Sequence, residues 1–324
     1  MSFLSGFFDS SGPSVAVEIA SNRVTAASLE WRSGQAVVAA HAIEPLPPGA
    51  LVPSLTTANT HDRASVMTAL NRVLEKFGRP RRIALVVPDV VAKVSLVRFE
   101  QVPARAQDLD QLVRWQVKKT APFPIDEAQV TYQAGLRALD GQEFLVSLAR
   151  RDVVAEYEGL CAEAGSQAGI VDLATFNVIN AVLVSAQGGS APMTGDWLLV
   201  NAAPEYASLA ILRGPDVIFF RNRPAESDGS LLDVVHQAAM YYEDRLQGAG
   251  FAHLVLAGAS NVPADLDDLR RGLEARFGAP IDTVDPRGAA ALTDRIIAAP
   301  ALLDTLAPLI GVLLRSRPAA GATT

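Results

Sequence analysis

The 324-residue chain has one cysteine, Cys161, and four histidines. A single thiol excludes an internal disulfide and a cysteine zinc cage, and it fits a reducing compartment. Cys161 lies in the apolar, helix-like stretch EYEGLCAEAG, where a small core residue is the plain reading. His41, His61, His236 and His253 show neither HExxH spacing nor a CxxC neighbour, so no metal centre is read. Basic residues are the minority. With 28 Lys and Arg against 35 Asp and Glu, the net charge is −7, which argues against nucleic acid as a partner. No apolar run reaches the about 20 residues that a bilayer span needs. The apolar start MSFLSGFF lacks the basic front and cleavage site of a secretory signal. It fits a short amphipathic helix touching membrane or partner, or a frayed end. The expected location is the cytoplasm. There is no GxxxxGK[ST] phosphate loop, and Ser147, Ser208 and Ser260 lack a GxSxG elbow. No catalytic residue is assigned.

What is present is apolar material in short runs. The chain is 49% hydrophobic and 19% charged, so it can bury a sizeable core, and its length favours two globular units. Runs at 15–20, 24–31 and 36–43 have strand length, with SerAsn at 21–22 and SerGly at 33–34 as turns, which predicts an antiparallel meander. A proline-rich loop follows at 45–54. Helical spacing over 62–77 puts Val66, Leu70, Val73, Leu74 and Phe77 on one face, with Thr60 or Asp62 as cap and Gly78 as stop. A strand at 82–87 is closed by ProAsp at 88–89. Strand, strand, strand, helix, strand is the order of the ribonuclease-H-like unit shared by actin, hexokinase and Hsp70-type proteins.

The next segment differs. It reads as a strand at 92–99, a helix at 107–120 broken by Pro122, a hairpin of 129–136 and 143–149 about AspGly at 140–141, and a helix at 152–164 ended by Gly165. This is a small α/β insert. A strand at 169–173 and a helix at 176–185 return to the first unit, and 187–195 is a linker. Then WLLVNAAPEYASLAIL, 197–212, repeats the form of VAVEIASNRVTAASL, 15–29. Val200 falls on Val17, Asn201 on Glu18, Ala203 on Ala20 and Ala210 on Ala27, which suggests a duplicated fold. Strands at 216–221, 254–257 and 281–284 alternate with helices at 231–246 and 266–277, and an apolar helix at 302–314 is interrupted near Pro308. LysLys at 118–119 suits the negative end of its helix. The expected fold is α/β, with duplicated ribonuclease-H-like (actin-like) domains and a small inserted α/β domain. The first domain spans 1–89, continued by 168–187 and by a C-terminal helix at 301–316. The insert is 90–167 and the second domain 188–300.

In actin-like ATPases two such β-turns face each other and grip phosphate through backbone N–H groups, with an Asp for Mg²⁺ and water and a glycine for close approach. Here Glu18 replaces the first Asp and Ala20 the glycine, while Ser21, Asn22 and Arg23 retain donors and a cation. In the second loop the acid is Asn201 and the glycines are Ala202 and Ala203. Pro204 removes a donor there, and Glu205 beside the tip repels phosphate. The adenosine-side stretch LVLAGASNVP keeps Gly258, followed by Ala259 and Ser260. A plain hairpin, a vestigial nucleotide site and a competent ATPase all remain open on this reading.

The chain resembles the PilM family of actin-like proteins of type IV pilus assembly, over roughly residues 3 to 314. The most telling piece is VRWQVKKTAPFPIDEAQVTYQ, a helix, then Pro-Phe-Pro, then a strand ending in an aromatic: Pro122, Phe123, Pro124 and Tyr132. AIEPLPPGALVPS, RRIALVVPDVVAKVSLVRFEQVP, LVSLARRDVVAEYEGLCAEAG, IVDLATFNVINAV, MYYEDRL and LAPLIGVLLR also look family-like. The resemblance implies a fold similar to that of the division protein FtsA, and ATP with Mg²⁺ as the candidate cofactor. It also implies a partner, the short cytoplasmic tail of a PilN-like bitopic membrane protein. That tail would lie in a groove between first domain and insert, at Pro122, Phe123, Pro124 and Tyr132. The implied role is a scaffold at the inner-membrane face, joined to that membrane through its partner and contacting other platform or motor components. The sequence departs from the family at both phosphate loops and in a very short stretch between Arg223 and Leu231, where PilM carries a cover subdomain. A trimmed cover resembles the cytoplasmic part of GspL in type II secretion. The expectation is a degenerate, non-enzymatic member. The alternatives are an actin-like ATPase or kinase, a GspL-like secretion component and a self-polymerising filament protein.

Overall fold

Strand β1 (Val15–Ile19) is buried at every position, as a strand covered on both faces must be. It pairs antiparallel with β2 (Arg23–Arg32), which pairs in turn with β3 (Gln35–Pro45). Helix α1 (Arg63–Glu75) is capped by Asp62, whose carboxylate accepts the Ser65 amide at 3.1 Å. Its end is released by Gly78 at φ +70°. β4 (Arg82–Val87) runs parallel to β1 on the side away from β2. The insert follows, with β5 (Ala92–Phe99), α2 (Ala106–Lys118), β6 (Ala128–Ala138) and β7 (Gly141–Arg150) forming a three-stranded sheet in the order β5-β7-β6. One face of that sheet packs under α2 through Val113 and Val117 against Val130, Val146 and Leu148. The chain is described here as a computed structural model over residues 12–138, 140–188, 193–225, 227, 229–258, 266–278 and 280–315. The apolar start lies outside the described residues.

Helix α3 (Arg151–Glu163) leads to β8 (Gln167–Leu173) and α4 (Ala174–Gln187). The sequence reading places α3 in the insert, but Val153, Tyr157, Leu160 and Cys161 are buried in the core of the first unit beside Leu70, Val73 and Leu74. Three glutamate and tyrosine contacts fix it there. The Glu156 carboxylate accepts the amides of Asn59 at 2.8 Å and Thr60 at 2.6 Å, and the Tyr157 hydroxyl donates to Asn59 Oδ1 at 3.0 Å.

The second unit repeats the plan with β9 (Asp196–Ala202), β10 (Tyr206–Arg213), β11 (Asp216–Pro224), α5 (Leu231–Leu246), β12 (His253–Ala257), α6 (Leu266–Phe277) and β13 (Ile281–Thr283). A last short strand, β14 (Ala291–Leu292), precedes α7 (Pro300–Arg315). The sheets run β14-β3-β2-β1-β4-β8 and β11-β10-β9-β12-β13. Apart from β14 the two orders are the same, so the duplication read from the hairpins extends to the whole unit. β14 pairs with β3, so the chain rejoins the first sheet before residue 300. Two strand residues leave no periodic signal, although they cover an otherwise open edge.

The equivalent last helices, α4 and α7, lie between the sheets. Leu306, Leu309 and Ile310 of α7 pack on the first sheet, while Val178 and Ile179 of α4 and Ala307 of α7 pack on the second. α7 continues through Pro308 without a break. The proline forfeits one helical bond, and the nearly continuous burial around it outweighs that loss. At the crossing, a Cβ on Gly311 would lie 1.8 Å from the carbonyl oxygen of Asn177, and Asn180 Nδ2 donates to the Gly311 carbonyl at 2.6 Å. Gly311→Ala is therefore expected to push the helices apart and cost about 3 kcal/mol in urea unfolding, the upper range for overpacking. A change under about 0.5 kcal/mol, the scatter of a surface substitution, contradicts the crossing.

Candidate functional site

The two hairpins close with the same turn. The Ala20 amide donates to the Arg23 carbonyl at 3.0 Å, and the Ala203 amide to the Tyr206 carbonyl at 2.8 Å. Glu18 and Asn201 end the central strands that precede these turns, so the structure brings both predicted loops to one place. Ala20, Ser21, Asn22 and Arg23 face Ala202, Ala203, Pro204 and Glu205 across a cavity of about 40 Å³. Small-molecule pockets are about 300–1,000 Å³. The cavity between the halves is small by the standard of ligand pockets.

Gly258 closes its third side. At φ +73° its backbone runs so close to Ala202 that a Cβ would lie 1.7 Å from the Ala202 carbonyl oxygen. Its amide donates to Asp304 Oδ1 at 2.8 Å, which turns that donor toward α7. Ala259 and Ser260 lie outside the described residues.

The cations and acids pair internally. Arg23 Nη2 lies 3.3 Å from Glu18 Oε2, and Arg23 Nε donates to Thr25 Oγ1 at 3.2 Å. Burial pushes the Glu18 carboxyl up, Arg23 opposes this, and Asp304 and Asp89 add to the rise. Burial also pushes Glu205 up.

The residue that organises the centre was read only as part of a turn. Asp89, just after β4, is 0% exposed. Its carboxylate accepts the Thr175 amide at 3.0 Å, the Thr175 hydroxyl, and the Ser208 hydroxyl at 2.6 Å. Asn201 Nδ2 donates to Thr175 Oγ1 at 2.8 Å and Asn222 Nδ2 to Ser208 Oγ at 2.9 Å. Thr175 stands in the first turn of α4, where a helix favours negative charge. The network joins the first unit, the crossing helix and three strands of the second unit. It gives Asn201 a use that an acid would not have, since an amide donates where a carboxylate would repel Asp89. Burial still pushes the Asp89 carboxyl up, against the lowering effect of the Ser208 and Thr175 bonds. A lone acid in the apolar run RIALVVPDVV and a lone serine in YASLAIL were the available signals.

A second, larger cavity of about 380 Å³ lies where the first unit, the insert and the second unit meet. Thr131, Tyr132 and Gln133 of β6 line it together with Ser147, Phe176 and Val217. Gln129, Thr131 and Gln133 of β6 pair with Ala149, Ser147 and Leu145 of β7, and all six line the cavity, so it lies on the face of the insert sheet turned away from α2. β6 is an outer strand of the insert sheet. Of the predicted groove residues, Tyr132 lies in this wall. Pro122, Phe123 and Pro124 do not line it: Phe123 packs into the insert core, and both prolines are exposed.

A sequence profile of the family described as type IV pilus assembly protein PilM matches residues 16–226. A solved PilM–PilN type IV pilus biogenesis complex is similar at 18% identity, covering 95% of this chain and 100% of that one, with a TM-score of 0.77. The cytoplasmic domain of EpsL, an inner-membrane component of the type II secretion system of Vibrio cholerae, is similar at 11% identity, with 75% and 80% coverage and a TM-score of 0.47. A Bacteroides thetaiotaomicron protein with an actin-like ATPase fold is similar at 7% identity, with 85% and 91% coverage and a TM-score of 0.48. The fold is actin-like, as the strand order and duplication require.

Because burial raises Glu18 and Asp89, the folded chain holds their protons more tightly than the unfolded chain. That stabilisation is full below the ordinary carboxylate range and is lost as pH rises through the raised folded values. Urea titrations from acid to neutral pH are expected to show this decline, and Glu18→Gln and Asp89→Asn to flatten it. Ser208→Ala is expected to cost about 2 kcal/mol, as for a lost bond to a charged group. Parallel pH profiles for all three proteins would sink the assignment.

Proposed function

The chain belongs to the family of type IV pilus assembly protein PilM, and from that premise we propose that it serves pilus assembly as a cytoplasmic scaffold and not as an enzyme. Its partner is a PilN-like membrane protein with one span, whose short cytoplasmic tail lies extended in the 380 Å³ groove. The observation that carries this reading is the groove itself, backed by one face of the insert sheet and walled by α4 and by Pro215 and Val217. An extended segment laid in such a groove buries its side chains against the wall, and Gln129, Thr131, Gln133 and Ser147 offer polar groups to its main chain. Tyr132, Leu145 and Phe176 supply apolar contact, and Asp172 and Arg315, which are ion-paired, supply a polar end. The partner holds the scaffold at the cytoplasmic face of the inner membrane.

The same reading makes the cleft between the halves a degenerate nucleotide site. The small cavity, the internal pairing of Arg23 with Glu18 and the use of Asn201 in the Asp89 network support it. No phosphoryl chemistry is assigned to these residues.

Calorimetric titration with a synthetic PilN-type tail tests the proposal. One-to-one binding is expected, unchanged by ATP and Mg²⁺. Ser147→Trp, which fills the groove, is expected to weaken it about tenfold or more, since overfilling costs about 1–3 kcal/mol. Melting temperature is expected to stay constant at millimolar ATP–Mg²⁺, because a ligand that does not bind the native state does not stabilise it. A nucleotide-dependent rise, with no heat from the tail, would favour the actin-like ATPase reading.

A further inference from the structure

The outward side of α2 differs from the rest of this acidic chain. Gln111, Arg114, Trp115 and Lys118 recur at the i, i+3, i+4, i+7 spacing, so they share one helix face, opposite the buried Val113 and Val117. Trp115 is 57% exposed, although a tryptophan is usually well buried. The Lys119 ammonium lies 4.4 Å from the centre of its ring. Beside it is an open concavity of about 450 Å³, completed by Ile125, Asp126 and Arg151. Arg114 is neutralised by Asp110 at 2.8 Å. Lys118, Lys119 and Arg151 have no ion-pair partner among the described residues. Asp126 is the carboxylate in the wall.

We propose that this face is a second docking surface, and that its occupant is an anionic phospholipid bilayer. An exposed indole rimmed by cations is the arrangement that favours the headgroup layer, with the ring at the interface and ammonium groups at the phosphates. The charge argument is specific. A chain of net charge −7 is repelled by an anionic surface as a whole. Only a face with local positive excess can approach within a Debye length. Position supports the same occupant, on the premise of the scaffold reading above. Arg151 Nε donates to the carbonyl of Ala128, the first residue of β6, at 3.1 Å. The concavity therefore adjoins the start of the strand that borders the peptide groove. A tail tethered to a membrane brings this face to the bilayer, and the lipid contact would fix the orientation of the scaffold.

The test uses the whole chain without any partner, so that it is independent of tail binding. Co-sedimentation is measured with vesicles of phosphatidylcholine alone and of phosphatidylcholine with phosphatidylglycerol. Pelleting is expected only with phosphatidylglycerol, falling with salt, together with a blue shift of tryptophan emission that Trp115→Ala removes. Lys118→Gln with Lys119→Gln is expected to weaken partition roughly twenty-five-fold, at about fivefold for each surface cation. Both variants change exposed side chains, and unchanged thermal melts and unchanged tail titration verify their folding. No pelleting of a chain that binds the tail overturns this inference and leaves the scaffold reading standing. Equal pelleting of wild type and both variants overturns it too. So does capture of an acidic peptide by this face when vesicles fail. Pelleting without tail binding supports the lipid contact and removes the scaffold reading instead.

Discussion

Asp89 determines how the two halves meet. A fully buried carboxylate is tolerated only where donors replace its lost water. Here the donors come from Thr175 at the start of α4 and from Ser208 on β10, 86 and 119 residues away in sequence. They are correctly placed only when both sheets are packed on the crossing helices. Helix N-termini are general anion sites, and in this chain the anion at the start of α4 is supplied from within. The Thr175 amide and the Thr175 and Ser208 hydroxyls are therefore engaged by the chain itself.

The fold was largely legible because its signals are local or repeated. Val15–Ile19 and Asp196–Ala202 are apolar runs ended by similar tight turns, and their correspondence through Val17 and Val200 announces duplication before any pairing is known. Asp62 and Gly78 mark α1 by capping chemistry alone. Assignment failed where contact is distant. Tyr157 and Cys161 lie on a helix that follows the insert in sequence, but their apolar side fits the core under α1. Helical periodicity states that a face is buried, not against what.

The candidate site divides along the same line. The hairpin residues were found because their turn geometry is written in adjacent positions. Asp89 was not, since a Pro-Asp pair after a strand reads equally as an exposed turn, and its burial depends on Ser208 in another sheet. Asn201 was read as a lost acid. With Thr175 in place it is a donor in a closed network, so the substitution fills a structural need. Phe123 carries the opposite lesson. Its motif is conspicuous, but the ring completes the insert core, and the neighbouring groove wall is formed by Tyr132.

The closed centre and the open groove are mechanically linked. The groove is walled by Thr131 and Ser147 from the insert, by Phe176 and Ile179 from α4, and by Pro215 and Val217 from the second unit. Phe176 stacks on Phe220 of β11 at 5.0 Å, one residue from Thr175 and its bonds to Asp89. A rotation between the halves would move the Val217 wall relative to β6 and would first have to break the buried carboxylate network. On the proposed scaffold reading, holding that angle fixed lowers the ordering cost of receiving an extended chain, because fewer groups must be immobilised on binding. Here Asp89, Thr175 and Ser208 tie that angle, and with it the wall of the groove, to one buried network.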